Sequence, residues 1–117
     1  MKKTNGITPR ARAWALACDL IPPVPGQADS IWNQGAREIV TGLLLHVQKT
    51  HPSLTLKQVA RAAAALLAGD YHQIFEAATS ENPEAAELLA GGPDNKAVRC
   101  LLMQVGAALS PASLADL

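Results

Sequence analysis

The stretch DSIWNQGAREIVTGLLLHV, residues 29–47, has the strongest helical pattern in the chain. Its apolar residues recur at steps of three and four, which predicts an amphipathic helix with one buried face. Asp29 or Ser30 is a suitable N-cap, and the helix should end near Thr50, before a His-Pro-Ser break. We expect the buried face to form the centre of the core, and its members are Ile31, Trp32, Ala36, Ile39, Val40, Leu43, Leu44 and Val47.

Three residues within this helix are unusual for a simple amphipathic helix. Gly35 and Gly42 lie two turns apart on similar faces, and they predict that another helix approaches closely. Arg37 borders the apolar face, and an arginine in such a position is usually paired. We expect Arg37 to pair with Asp29, Glu38 or an acid of another helix. The alternative is a contact between Arg37 and a binding partner.

The segments on both sides predict further helices separated by prolines and glycines. Thr55 and Gln58 have the spacing of a capping box, and Asp70 suits the start of the next helix. Asn82 and Pro83 should open the one after that. The sequence therefore predicts one all-α domain, a compact bundle of about six helices with short loops. The expected ranges are about 8–20, 29–50, 55–68, 70–80, 83–90 and 96–109.

Composition is typical of a globular chain. It has 117 residues, of which 49% are hydrophobic and 17% charged, enough for one core in one domain. Trp14 and Trp32 are expected in that core, and the alternative is that they belong to an interface. Cys18 and Cys100 lack a Cys-x-x-Cys spacing, so we expect reduced, buried thiols. The sequence shows neither a signal peptide nor a run of ~18 apolar residues, so we expect a cytoplasmic, monomeric protein that does not span the membrane.

The usual motifs of catalytic and cofactor sites are missing from the sequence. No Gly-rich phosphate loop occurs. The three histidines show no i, i+4 pairing and have no carboxylate or cysteine at metal-ligand spacing, so we expect no metal and no cofactor. Glu81, Glu84 and Glu87 recur at steps of three, and we interpret them as solvated surface rather than as a catalytic pair. The sequence thus predicts a domain that is not an enzyme.

Charge is unevenly distributed although the net charge is zero. Residues 1–61 carry a net charge of +5 and residues 62–117 carry −5. The candidates for contacts with cargo or DNA in the basic half are Arg10, Arg12, Lys49, Lys57 and Arg61. Because aromatic residues do not alternate with these cations, DNA binding would use phosphates alone and would be sensitive to salt and blind to sequence. The alternative is that the five cations are ordinary solvated charges.

The helix over 29–50 resembles the opening helix of the all-α domain of type IV secretion coupling proteins, the TraD/TraG-like DNA-transfer ATPases. In that family the helix carries an aspartate, an aromatic residue shortly after it, an Ala-Arg pair and an apolar run with a small residue. The matching positions here are Asp29, Trp32, Ala36, Arg37 and the Thr-Gly-Leu-Leu run at 41–44. The segments PRARAWALACDL at 9–20, TLKQVARAAA at 55–64 and DNKAVRCLLMQVGAALSPASLADL at 94–117 resemble other parts of that domain in the same order.

The resemblance implies a fragment of a larger ATPase, because the family's Walker motifs and inner-membrane anchor are not in this sequence. It implies a cytoplasmic domain that contacts the parent motor domain and recruits a relaxase–DNA complex, an effector protein or an adaptor. The fragment itself is then expected neither to bind nor to hydrolyse ATP. Two other functions stay open: DNA binding through the five cations, and the activity of an unrelated helical enzyme or regulator.

Overall fold

A computed structural model describes residues 8–23, 26, 30–115 and 117. Within these residues all regular structure is helical, and the helices are α1 (Pro9–Leu20), α2 (Ile31–Thr50), α3 (Leu56–Leu66), α4 (Tyr71–Ser80), α5 (Glu84–Leu89), α6 (Lys96–Ala108) and α7 (Pro111–Leu114). The predicted all-α bundle with short loops is confirmed, and the helix beyond the expected six is the four-residue α7. The Cα radius of gyration, 13.8 Å, is close to the ~13 Å that compact domains of this length show.

Side-chain caps explain where most of the helices begin. The residue before α3, Thr55, accepts a hydrogen bond from the Gln58 amide, and the Gln58 side chain accepts one from the Thr55 amide, so the predicted capping box is confirmed. Asp70 caps α4 as predicted, and it too completes a capping box. Ser30 provides the cap of α2, whereas Asp29 lies outside the described residues. The other capped helices are α1, α6 and α7, with Thr8, Asn95 and Ser110 at their N-caps.

Helix α2 is the centre of the fold. Helices α1, α3, α4, α5 and α6 all pack against it, and α7 packs against α3 and α6. From Ala36 to Val47 the predicted buried face is confirmed, and Ile39, Val40, Leu43 and Leu44 are completely buried. A helix of this length is ~30 Å long, so five other helices can pack along it.

The first turn of α2 departs from the predicted pattern. Ile31 is 76% exposed and Trp32 is 46% exposed, so the expectation that both lie in the core is wrong. Further along α2, Asn33 is hydrogen-bonded to Gln104 of α6, and Gly35 lies against Leu88 of α5 and Leu101 of α6. Periodicity describes which side of a helix is apolar, but it does not say how far along the axis the neighbouring helices extend. The first turn of α2 therefore presents apolar side chains to solvent.

Gly42 allows α4 to approach the backbone of α2. A Cβ atom at Gly42 would lie 2.0 Å from the carbonyl oxygen of Ala78 in α4, and Ala78 is itself completely buried. At Gly35 a Cβ atom would lie 3.1 Å from a methyl group of Leu101 and 3.2 Å from one of Leu88. The predicted close approach of another helix is confirmed at Gly42, where the neighbour is the backbone of α4. At Gly35 the neighbours are side chains of α5 and α6 instead of a helix backbone.

The cysteines only partly follow the prediction. Both are free thiols; Cys18 is half-buried, and Cys100 is exposed. The predicted burial of Cys100 is therefore wrong. Helix α6 instead buries the side that carries Val98, Leu101 and Val105. No helix in the described part of the chain combines the length and the apolar character that crossing a membrane requires.

Candidate functional site

A groove of about 650 Å³ lies between α1, α2 and α5. This volume lies within the ~300–1,000 Å³ that ligand-binding clefts usually have. Its apolar lining comes from Trp14 of α1, Ile31 of α2, Leu88 of α5 and Pro83 just before α5. Ile31 is the most exposed of the large apolar side chains at 76%, so a partner in the groove would remove apolar surface from water.

The predicted core position of Trp14 is only partly correct. Trp14 is half-buried on α1, between the completely buried Ala13 and the exposed Ala15. Its indole lines the groove instead of being enclosed. A half-buried tryptophan next to an exposed isoleucine is the kind of apolar anchor that binding surfaces favour.

A polar network adjoins the groove and shares Glu38 and Glu84 with it. Arg10 donates from Nη1 to the Oδ1 atom of Asn82 at 2.8 Å. Asn82, which is completely buried, donates from Nδ2 to the Glu38 carbonyl at 2.7 Å and to Glu38 Oε1 at 3.1 Å. The second guanidinium nitrogen, Nη2, lies 3.7 Å from Glu38 and 3.6 Å from Glu84. The network thus holds α1, α2 and the start of α5 together.

Helix α5 begins directly after Asn82 and Pro83, as predicted, but the Asn82 side chain does not cap it. The N-cap of α5 is Pro83, and no side chain caps this helix. The amide of Asn82 instead satisfies Arg10 and Glu38, because it is buried at the junction where three helices meet. A buried amide in such a place requires hydrogen-bond partners, and Asn82 finds them in other helices.

Three carboxylates lie along the groove: Glu38 of α2, and Glu84 and Glu87 of α5. Arg10 is shared by the first two, whereas Glu87 makes no ion pair with any residue in the described part of the chain. Glu84 and Glu87 are exposed, as the interpretation of solvated surface requires, but both face the groove. Against these three negative charges stand the guanidinium groups of Arg10 and Arg37.

Arg37 holds the C-terminus of α1 on α2. Its side chain is buried, with 4% exposed, and its Nε donates to the carbonyl oxygen of Ile21 at 2.7 Å. Ile21 is the C-cap of α1, so the cation meets the negative end of that helix. The expected partner Asp29 lies outside the described residues, and that pairing stays a prediction. Of the other residues that carry the family resemblance, Ala36 is completely buried and Trp32 is half-exposed.

The five candidate cations for cargo or DNA lie on three different helices. Arg10 and Arg12 are on α1, Lys49 is in the last turn of α2, and Lys57 and Arg61 are on α3. Arg10 belongs to the acidic network, and Lys49 pairs with Glu81 at 3.0 Å. Lys49 is eleven residues beyond Glu38 on α2, or ~16 Å along the axis. The structure therefore places Arg10 and Lys49 beside carboxylates and well apart from each other.

A second, smaller cavity of about 290 Å³ lies between α3, α7 and the end of α6. Arg61 is its one charged lining residue, beside Ala64, Leu109, Pro111 and Leu114. The described residues contain no group of three or more His, Cys, Asp and Glu side chains that is arranged to hold a metal ion. Apolar contacts and ion pairs are thus the chemistry that the described cavities offer.

Sequence reasoning missed most of the groove. The groove is formed by α1, α2 and α5, which are far apart in the chain. Arg10 and Asn82 of the adjoining network, for example, are separated by 72 residues. One signal was available, since Ile31 and Trp32 form an apolar pair in the first turn of a helix. Comparison with protein-family models, with curated proteins and with solved structures found no match for this chain.

Proposed function

We propose that this domain recognises a protein partner and performs no chemistry of its own. The observation that carries the proposal is the groove of about 650 Å³, in which exposed apolar side chains lie beside carboxylates. Such a surface can bind a partner by complementarity, with apolar contacts for affinity and charges for orientation. The resemblance to the all-α domain of type IV coupling proteins supports a more specific form, in which the partner is a relaxase, an effector protein or an adaptor.

The charges of the groove favour protein over nucleic acid as its occupant. Glu38, Glu84 and Glu87 would repel a phosphate backbone, and Arg10 is already bound to Asn82 and close to two of these acids. Lys49 is likewise paired with Glu81. Two of the five candidate cations are therefore less suited to phosphate contacts than their positions in the sequence suggested.

DNA binding remains a second candidate because of the other three cations. Arg12, Lys57 and Arg61 have no carboxylate partner within the described residues. Lys57 and Arg61 are one turn apart on α3. These three side chains could contact phosphates in a mode that depends strongly on salt.

A calorimetric titration separates the two candidates. The domain is titrated first with the signal region of the cognate relaxase or effector, and then with a duplex DNA of about 20 base pairs at ~50 and ~200 mM salt. Saturable binding of the protein segment supports partner recognition. Binding of DNA that falls steeply with salt and is weakened by a Lys57→Ala/Arg61→Ala double variant supports the second candidate. Hydrolysis of ATP by the isolated domain would contradict the proposal that it performs no chemistry.

A further inference from the structure

The geometry points to a specific kind of occupant for the groove: a segment of a partner protein in which an apolar side chain is flanked by lysine or arginine. This inference rests on the proposed function, and it adds the chemistry of the segment that the groove binds. Its basis is the placement of three carboxylates along a groove whose other lining consists of apolar residues, Gln34 and Arg37.

The charge balance of the groove is the first part of the argument. The Arg37 side chain also lines the groove, and its Nε donates to the Ile21 carbonyl. The Arg10 guanidinium is hydrogen-bonded to Asn82 at 2.8 Å. It remains 3.6 Å from the Glu84 carboxylate, which is beyond hydrogen-bond distance, and the Glu84 side chain is 58% exposed. Glu87 has no cationic partner among the described residues. Glu84 and Glu87 can therefore accept hydrogen bonds from a cation that a partner supplies, and they would repel an acidic segment.

The shape of the groove is the second part. Trp14 and Leu88 are half-buried, and Ile31 in the first turn of α2 is 76% exposed. Gly35 has no side chain, and even a Cβ atom there would meet the methyl groups of Leu88 and Leu101 at 3.1 to 3.2 Å. A preformed apolar surface of this kind can hold an aliphatic or aromatic side chain without first rearranging.

Other occupants fit the groove less well. A phosphate-bearing ligand or an anionic lipid surface would meet carboxylates. A metal ion would need more ligands than two exposed glutamates on a six-residue helix, and the described residues provide no such group. A basic, apolar peptide segment is compatible with both the charge and the apolar lining.

The test uses two synthetic peptides of twelve residues. In the lysine peptide, pairs of leucines alternate with pairs of lysines, and the glutamate peptide has glutamate in place of each lysine. Each is titrated into the ¹⁵N-labelled domain, and binding is followed by NMR. We expect the lysine peptide to shift the signals of Ile31, Gly35, Leu88 and the Trp14 indole, and the glutamate peptide to leave them unchanged. Glu87→Lys should weaken binding of the lysine peptide about threefold or more, because it replaces the attraction of an exposed charge pair by a repulsion.

The matched control reverses the charge of a glutamate that lies outside the groove. Glu76 on α4 is exposed, its one ion-pair contact among the described residues is with His72, and it does not line the groove. Glu76→Lys should leave the affinity for the lysine peptide unchanged. The inference is overturned by equal binding of both peptides, by equal loss of affinity in the two variants, by shifts that map to another face, or by no shift at millimolar peptide.

The same variants keep this inference separate from the proposed function. If the cognate partner binds the domain and Glu87→Lys does not weaken that binding, the groove is the wrong site although partner recognition stands. If the lysine peptide binds in the groove but no cognate partner binds the domain, the groove has the inferred chemistry and the proposed function is wrong.

Discussion

Replacement of Gly42 by alanine tests the central packing contact of the bundle. In an isolated helix, glycine to alanine is stabilising by up to ~1 kcal/mol, because alanine has the higher helix propensity. Here the new methyl carbon would lie 2.0 Å from the Ala78 carbonyl oxygen and 2.9 Å from its carbonyl carbon. To reach even 3.0 Å, α2 and α4 must separate by about 1 Å, and the obstacle is backbone that cannot rotate away.

The net effect follows from these two opposing terms. Overpacking of a well-packed interior costs ~1–3 kcal/mol, and the upper value applies where backbone must move. After the gain in helix propensity is subtracted, we expect Gly42→Ala to lower the free energy of unfolding by about 2 kcal/mol. A domain of this size has a total stability of only ~6–18 kcal/mol, so the loss is readily measured.

Gly106 provides the matched control. It lies in α6, and a Cβ atom there would have nothing within 4 Å. Gly106→Ala should therefore raise the free energy of unfolding by ~0.5–1 kcal/mol. Both variants are compared with the wild type by urea denaturation followed by circular dichroism, with the slope of the transition checked for change. The reasoning is refuted if Gly42→Ala is as stable as Gly106→Ala.

Three further predictions concern other contacts of the fold. Arg37→Met removes the donor from the buried Ile21 carbonyl and should destabilise the domain by about 2–3 kcal/mol in thermal or urea unfolding; an unchanged midpoint would mean that this contact does not hold α1. Thr55→Ala removes the cap of α3 and should cost about 1 kcal/mol in the same assay, whereas no loss would argue against the capping box. Trp32→Gln should change stability by less than about 1 kcal/mol because Trp32 is 46% exposed; a loss of ~3–5 kcal/mol, typical of a core tryptophan, would show that it is buried in solution.

Local features of the fold were predictable from the sequence because local chemistry determines them. Thr55 with Gln58, and Asp70, mark helix starts by satisfying amide groups within one turn. The buried face of α2 from Ala36 to Val47 follows from its periodicity. These signals operate over a few residues, and the structure agrees with each of them.

The groove was not predictable because it depends on distant residues. Asn82 has a sequence context that suits a helix start, yet its side chain bonds to Arg10, 72 residues away, and to Glu38, 44 residues away. The same limit explains Trp32 and Ile31, whose apolar character predicts burial although both are exposed in the bundle. Which helices meet, and how far they overlap, is decided by packing of the whole bundle and not by any single segment.

The most direct test of partner recognition by the groove is the dissociation constant of the cognate signal region for the wild-type domain and for Ile31→Lys. Ile31 is 76% exposed, so its replacement should leave the fold intact, which circular dichroism can verify. Burial of an isoleucine side chain contributes ~1.5–3 kcal/mol, so we predict saturable binding by the wild type and binding about tenfold or more weaker by Ile31→Lys. Absence of binding by the folded wild-type domain, or equal affinity of the two proteins, would contradict the account.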